Sequence, residues 1–192
     1  MRCKKEEFTE GNYFHVYNHA VAKEILFRDK PDYTFFAEKM QLHANSKHST
    51  LVTWCLMPNH YHFLIKQNDI EPVYKVFNSV AMSYINYYNY KYQRKGRLFN
   101  KLQHRKIIND NYLLQIYLYI HLNPVKHNFV QNPGDWQFSD YNKWIDNKIG
   151  NEVRDNIFDF ALGEYKKVIE SKMEEKNWKK FNFNSTNASQ DF

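Results

Sequence analysis

Two apolar runs lie on either side of a two-residue turn signal: residues 50–57 (TLVTWCLM) and residues 60–66 (HYHFLIK), parted by Pro58-Asn59. Both are too short for ordinary helices and are rich in strand-forming residues, so the gap between them reads as a hairpin. A hairpin commits this part of the chain to antiparallel pairing, which disfavours a doubly wound parallel sheet. Residues 13–21 (YFHVYNHAV) read as a further strand. Pro31-Asp32 opens a helical stretch with Phe35, Phe36, Met40 and Leu42, running to about residue 48. Residues 71–92 form a long aromatic helix with Gly96 marking its end, and residues 97–108 are extended. Asp110 is the expected N-cap of a helix over 111–122, stopped near Asn123-Pro124. This order predicts an α+β fold: a ferredoxin-like split β-α-β antiparallel sheet with helices on one face, plus a C-terminal helical extension. The expected limits are 1–147 for the main domain, 148–181 for the extension and 182–192 for a polar, disordered tail. Trp136, Phe138, Tyr141 and Trp144 are expected to pack back on the main domain.

Composition narrows the class. The chain is 43% hydrophobic and 18% aromatic, enough for a sizeable core and too much for a disordered chain. No apolar run approaches the roughly 18–20 residues of a membrane-spanning helix, and residues 1–7 lack the apolar region of a secretory signal. Cys3 and Cys55 make no disulfide framework, so free thiols in a reducing, cytoplasmic compartment are expected.

Charge is unevenly placed. Between Pro72 and Gly134 nine bases face one acid, Asp110; the rest of the chain has 18 bases and 20 acids. The whole positive excess therefore sits in one third of the chain. Such a segment suits a polyanion, because cations that neutralise phosphates release counterions. A solvated basic face would look the same. Lys91, Arg94, Lys95, Arg97, Lys101, Arg105 and Lys106 are the candidate nucleic-acid contacts, interleaved with Tyr84, Tyr87, Tyr88, Tyr90, Tyr92 and Phe99, whose rings can stack on bases or fill a core.

Two motifs carry possible chemistry. His60-Tyr61-His62 on a strand sets both imidazoles on one face and Tyr61 on the other. Two convergent imidazoles begin a metal site, although ordinary polar residues at a hairpin give the same pattern and a site needs at least one more ligand. Tyr119 and Asn123 lie one helical turn apart and present together. A tyrosine becomes a nucleophile when its proton is removed and its phenolate stabilised. Tyr117 and His121 share that spacing on another face, so spacing alone does not choose between the pairs.

Taken together, YFHVYNHAV, CLMPNHYHFLIK, KGRLFNKLQHRKI and YLYIHLNPVKHNFVQNPGDWQFSDY resemble the single-tyrosine HUH transposases, most of all their REP-associated tyrosine transposase branch. The resemblance spans roughly residues 13–141. It implies that residues 1–147 are a catalytic domain, with His60 and His62 as metal ligands, Asn123 completing the site and Tyr119 as nucleophile. It implies a divalent ion, Mg²⁺ or Mn²⁺, and no nucleotide cofactor. The implied reaction is cleavage and rejoining of single-stranded DNA at hairpin-bearing ends through a 5′-phosphotyrosine link. The implied partners are single-stranded and hairpin DNA, with no membrane, for a monomer or homodimer in a bacterial cytoplasm, at the nucleoid when bound to DNA. Two features depart from the family pattern: Tyr61 stands where an aliphatic residue is common, and KHNFV replaces a small-residue turn, which bears on DNA contacts. The rival readings are a replication-initiator-like HUH nickase, a non-catalytic nucleic-acid-binding descendant and, more distantly, a metal-dependent hydrolase.

Overall fold

The computed structural model describes residues 7–146 and 162–175. Its first strand, β1 (Tyr13–His19), alternates strictly: Phe14 and Val16 enter one core, while His15, Tyr17 and His19 face the other way. Helix α1 (Lys30–Ala44) follows, with Asp29 as N-cap accepting from the Asp32 amide at 3.2 Å and Pro31 in the first turn. Strands β2 (Ser49–Met57) and β3 (His60–Gln67) form the expected hairpin. Helix α2 (Tyr74–Lys91) leads to a short strand, β4 (Gln103–Lys106). The sheet order is β2-β3-β1-β4, and every neighbouring pair is antiparallel. Strands β1 and β2 are thus parallel with β3 between them, as are β3 and β4 with β1 between them. This is the ferredoxin-like arrangement.

Helices α1 and α2 pack together over one face of the sheet, on a core that includes Phe14, Phe36, Tyr61, Phe63, Phe77 and Tyr84. Helix α3 (Asp110–Lys126) lies against β2 and β3 on the other face, with Ile116, Tyr117 and Ile120 meeting Val52, Cys55 and Leu64. A register shift between Leu51 and Thr53 allows Val52 and Thr53 both to serve that second face. A short helix α4 (Tyr141–Ile145) and α5 (Leu162–Glu174) extend this layer. Tyr165 and Ile169 of α5 pack on Leu118 and Leu122 of α3 and on Tyr141. The aromatics after residue 135 fold back as expected: Phe138 stacks on Tyr33 at 3.6 Å between ring centroids, and Trp144 is buried.

Three local expectations differ from the structure. Asn109, not Asp110, caps α3, its side chain accepting from the Tyr112 amide at 2.8 Å, with Asp110 as the first helical residue. The helix does not stop at Asn123 but runs through Pro124 to Lys126. Proline disfavours helix in the residue before it; here Leu122, Asn123 and Val125 are all buried, and packing overrides that preference. Helix α2 ends at Lys91, next to the expected residue 92, but the stop precedes Gly96: Gln93 takes the left-handed conformation (φ 50°) and Arg94 N–H donates to the Asn89 carbonyl. Cys3, the tail over 182–192 and most of 148–181 lie outside the described residues. Among the described residues no helix is long and apolar enough to cross a membrane.

Candidate functional site

The non-core parity of β1 and β3 builds one surface. His60 and His62 share a face because they are two residues apart, while Tyr61 and Phe63 fill the α1–α2 core behind them. The register sets His19 beside His60 and Tyr17 beside His62. Ring centroids lie 5.1 Å apart for His60–His62, 5.1 Å for His19–His60 and 5.2 Å for His15–His62. Helix α3 crosses this face and resolves the ambiguity between its tyrosines. Tyr117 is fully buried, against Trp144, and His121 hydrogen-bonds Tyr165, Thr53 and Asp140 in the interior. Tyr119 and Asn123 point instead towards the histidines, with the Tyr119 ring 5.1 Å from His62 and Asn123 Oδ1 3.0 Å from His60 Nε2. A cleft of about 540 Å³ is lined by His19, Lys23, His60, His62, Tyr119 and Lys126 among others.

Electrostatics suit a polar reaction in a semi-dry site. Burial holds His60 down to about 3, and holds His15 down to about 3 with help from Arg105. His62 is pushed well below its usual range by burial and by its histidine neighbours. These imidazoles are therefore neutral and keep lone pairs. Burial pushes the Tyr119 phenol up to about 12, opposed by its hydrogen bond with Asn123. The Lys126 ammonium sits over the Tyr119 ring, 4.9 Å from its centroid.

The donor set fits a small divalent cation. His60 Nδ1 contacts Asn59 Oδ1 at 2.7 Å while Nε2 faces Asn123 Oδ1 at 3.0 Å. A neutral imidazole has one N–H, so one of these contacts sets a lone pair against an oxygen, as two ligands of one cation do. Asn123 Nδ2 is buried with no hydrogen-bond partner among the described residues. His62 Nδ1 meets His15 Nε2 at 3.0 Å, a contact that orients the ring and leaves its other nitrogen for a ligand role. Among the described residues no group of three or more His, Cys, Asp or Glu side chains is placed to hold a metal ion, so a site here would draw on the Asn123 amide oxygen beside His60 and His62.

The basic residues separate. The Lys91 ammonium is held by Asp29 and Asp32, each at 2.7 Å, and Arg94 pairs with Glu24 at 2.7 Å. Lys95, Arg97 and Lys101 are exposed. Arg105 pairs in register with His15, which puts it on the site's side of the sheet, whereas Lys106 lies opposite Phe14 on the other side. Sequence reasoning missed His15, His19, Asn59, Lys126 and His127. The period-two spacing of His15, Tyr17 and His19 was a signal for two of them; the others required the hairpin turn and the end of α3 to be placed.

No protein-family model matches the chain, and no curated protein matches it in sequence. Solved structures do. The fold is an α+β one shared with a solved transposase structure. Its likeness is to a REP-associated tyrosine transposase solved bound to a REP hairpin: TM-score 0.65 at 14% identity, covering 78% of this chain and 88% of that one. Two weaker matches have TM-scores too low to bear on the fold. They are a Deinococcus radiodurans R1 protein provisionally named a transposase (0.41, 16% identity, 62% of this chain and 95% of that one) and the Saccharomyces cerevisiae tRNA(His) guanylyltransferase (0.43, 11%, 97% and 85%).

Proposed function

We propose that this chain is a single-tyrosine transposase that cuts and rejoins single-stranded DNA at hairpin-bearing ends. The observation that carries the reading is the convergence of Tyr119 and Asn123 from α3 with His60 and His62 from β3 in one cleft, while Tyr117 and His121 turn into the core. His60, His62 and Asn123 would hold a divalent cation, Mg²⁺ or Mn²⁺; when bound, it supplies Lewis acidity to a phosphate oxygen.

The chain's own residues account for the rest. Tyr119 Oη attacks the phosphorus, a P–O(Tyr) bond forms and the bond to the 3′ oxygen breaks. The phenol proton leaves Tyr119, and the departing 3′ oxygen takes up a proton to become a hydroxyl. A phenol held at about 12 is protonated at neutral pH, so attack and proton loss must be coupled. Lys126 above the ring favours the developing negative charge. His15 and Asn59 fix the rotations of His62 and His60. The phosphotyrosine link conserves the energy of the broken ester, so rejoining by a 3′-hydroxyl is the same step reversed and needs no nucleotide. Exposed Lys95, Arg97 and Lys101, and Arg105 on the site's side of the sheet, are the cations proposed to meet DNA.

The test is a hairpin oligonucleotide with single-stranded flanks, incubated with Mg²⁺ or Mn²⁺. A covalent adduct mapped by mass spectrometry to the Tyr119 peptide is expected, lost in Tyr119→Phe, in His60→Ala and with chelator. An adduct on another tyrosine, or full cleavage by Tyr119→Phe, would overturn the reading.

A further inference from the structure

The same cleft has an apolar component that phosphate chemistry does not use. Ile25 and Phe129 line it, and they are 52% and 51% exposed. Single exposed apolar residues are common and need no explanation. Here two of them share one cleft with Lys23, Lys126 and four histidines, and among the described residues no carboxylate lines it. Cationic walls with an apolar rim match a nucleotide: phosphate to the cations, base to the apolar surfaces.

Both side chains are held out by fixed backbone. The N–H groups of Leu26 and Phe27 donate to the Pro58 carbonyl, and the Tyr88 hydroxyl donates to the Ile25 carbonyl at 2.6 Å. Ala22 and Lys23 just before them both adopt left-handed backbone (φ 50° and 59°), a conformation that costs energy in non-glycine residues and brings Lys23 to the cleft. Phe129 follows the helix-ending turn of α3. Asn128 is left-handed (φ 59°), its N–H donates to the Val125 carbonyl, and the Phe129 N–H donates to the Pro124 carbonyl at 2.9 Å. One side of the Phe129 ring is backed by Trp136, 5.5 Å away.

We infer that Phe129 and Ile25 form an apolar clamp for one unpaired nucleobase of the strand whose phosphate lies at Tyr119. The inference rests on the DNA-cleaving reading of this cleft and adds that the nucleotide beside the cut is held by its base, unpaired. Phe129 is a specificity-determining residue in this scheme, not a catalytic one.

The test compares a ten-residue oligothymidine with a ten-residue abasic deoxyribose-phosphate chain as ligands of the full-length protein. The wild type should prefer the oligothymidine. Phe129→Ala should shrink that preference by roughly 5- to 150-fold, the value of one base–aromatic stack, and bind the abasic chain as the wild type does. Phe129→Trp should restore it, and its thermal melt separates loss of contact from loss of fold. Lys23→Gln should weaken both ligands alike. If Phe129→Ala discriminates as the wild type does, or if Phe129→Trp folds but fails to restore, the clamp is wrong while the cleavage reading stands. If Phe129 discriminates as expected but no tyrosine adduct forms on the hairpin substrate, the cleavage reading fails and the clamp loses its place beside a cut. If the wild type binds neither chain, the clamp is wrong, and the cleavage reading stands or falls on the hairpin substrate.

Discussion

The proposed nucleophile, Tyr119, and its rival, Tyr117, leave α3 on different sides. Tyr119→Phe removes one oxygen from a residue aimed at His62 and should abolish adduct formation while DNA binding persists, as gel shift and denaturing electrophoresis would record. Tyr117→Phe alters a phenol buried against Trp144. It should cut at near the wild-type rate and change stability by no more than about 0.5–1.5 kcal/mol. A Tyr117→Phe protein that binds but cannot cut would reverse the assignment. Basic residues also differ singly in ways that a count hides. Lys91 is tied to Asp29 and to Asp32, a fully buried carboxylate that also accepts from the hydroxyls of Tyr87 and Tyr92. Its charge joins the start of α1 to the end of α2, so its place in the basic run says little about DNA.

At the scale of elements, the end of α3 carries a prediction. Asn128 occupies the left-handed position of a helix-ending turn, where asparagine costs little and other side chains cost about 1–2 kcal/mol. Asn128→Gly should hold or raise the melting temperature, and Asn128→Val should lower it by several degrees. Equal melting of the two variants would show that the turn is not under that constraint. KHNFV thus keeps the turn that a small-residue segment would make and adds an aromatic after it. The hairpin, the split sheet and the parity of His60 and His62 were legible because side-chain period and a two-residue turn are local properties. The passage of α3 through Pro124 was not, since it depends on the burial of Leu122, Asn123 and Val125, and the N-cap of α3 fell one residue off because Asn109 and Asp110 are both capping residue types. The period-two spacing of His15 and His19 put them on one face of β1, but the β1–β3 register was needed to set that face beside His60 and His62, and the end of α3 to place His127. No single segment encodes such pairings.

For the whole molecule, the histidine cluster makes stability depend on acid. His15 and His60 are held down to about 3 when folded and return to about 6.5 when unfolded. A depressed folded value means that stability is complete above about pH 6.5 and is lost as pH falls towards 3. The slope approaches about 1.4 kcal/mol per pH unit for each such histidine. Urea midpoints at pH 7, 5.5 and 4.5 should fall in that order, before carboxylates titrate; constant midpoints would refute it. Salt dependence reports the charged surface. Neutralising Lys95 and Arg97 should each reduce the log–log slope of single-strand binding by roughly 0.7. Arg94→Gln should move it less, because Glu24 already holds that guanidinium; equal effects from all three would mean that the ion pair opens on DNA.

Alternation along β3 has a genetic consequence. His60 and His62 alternate with Tyr61 and Phe63, so that the imidazoles and the aromatic core share one reading frame of side chains. Loss or gain of a single codon inside this strand would turn the imidazoles into the core and the aromatic rings into the cleft. Two codons would shift the pairing yet keep each side chain on its own face. A library of in-frame deletions across residues 60–66 should therefore contain folded survivors only among even-length changes.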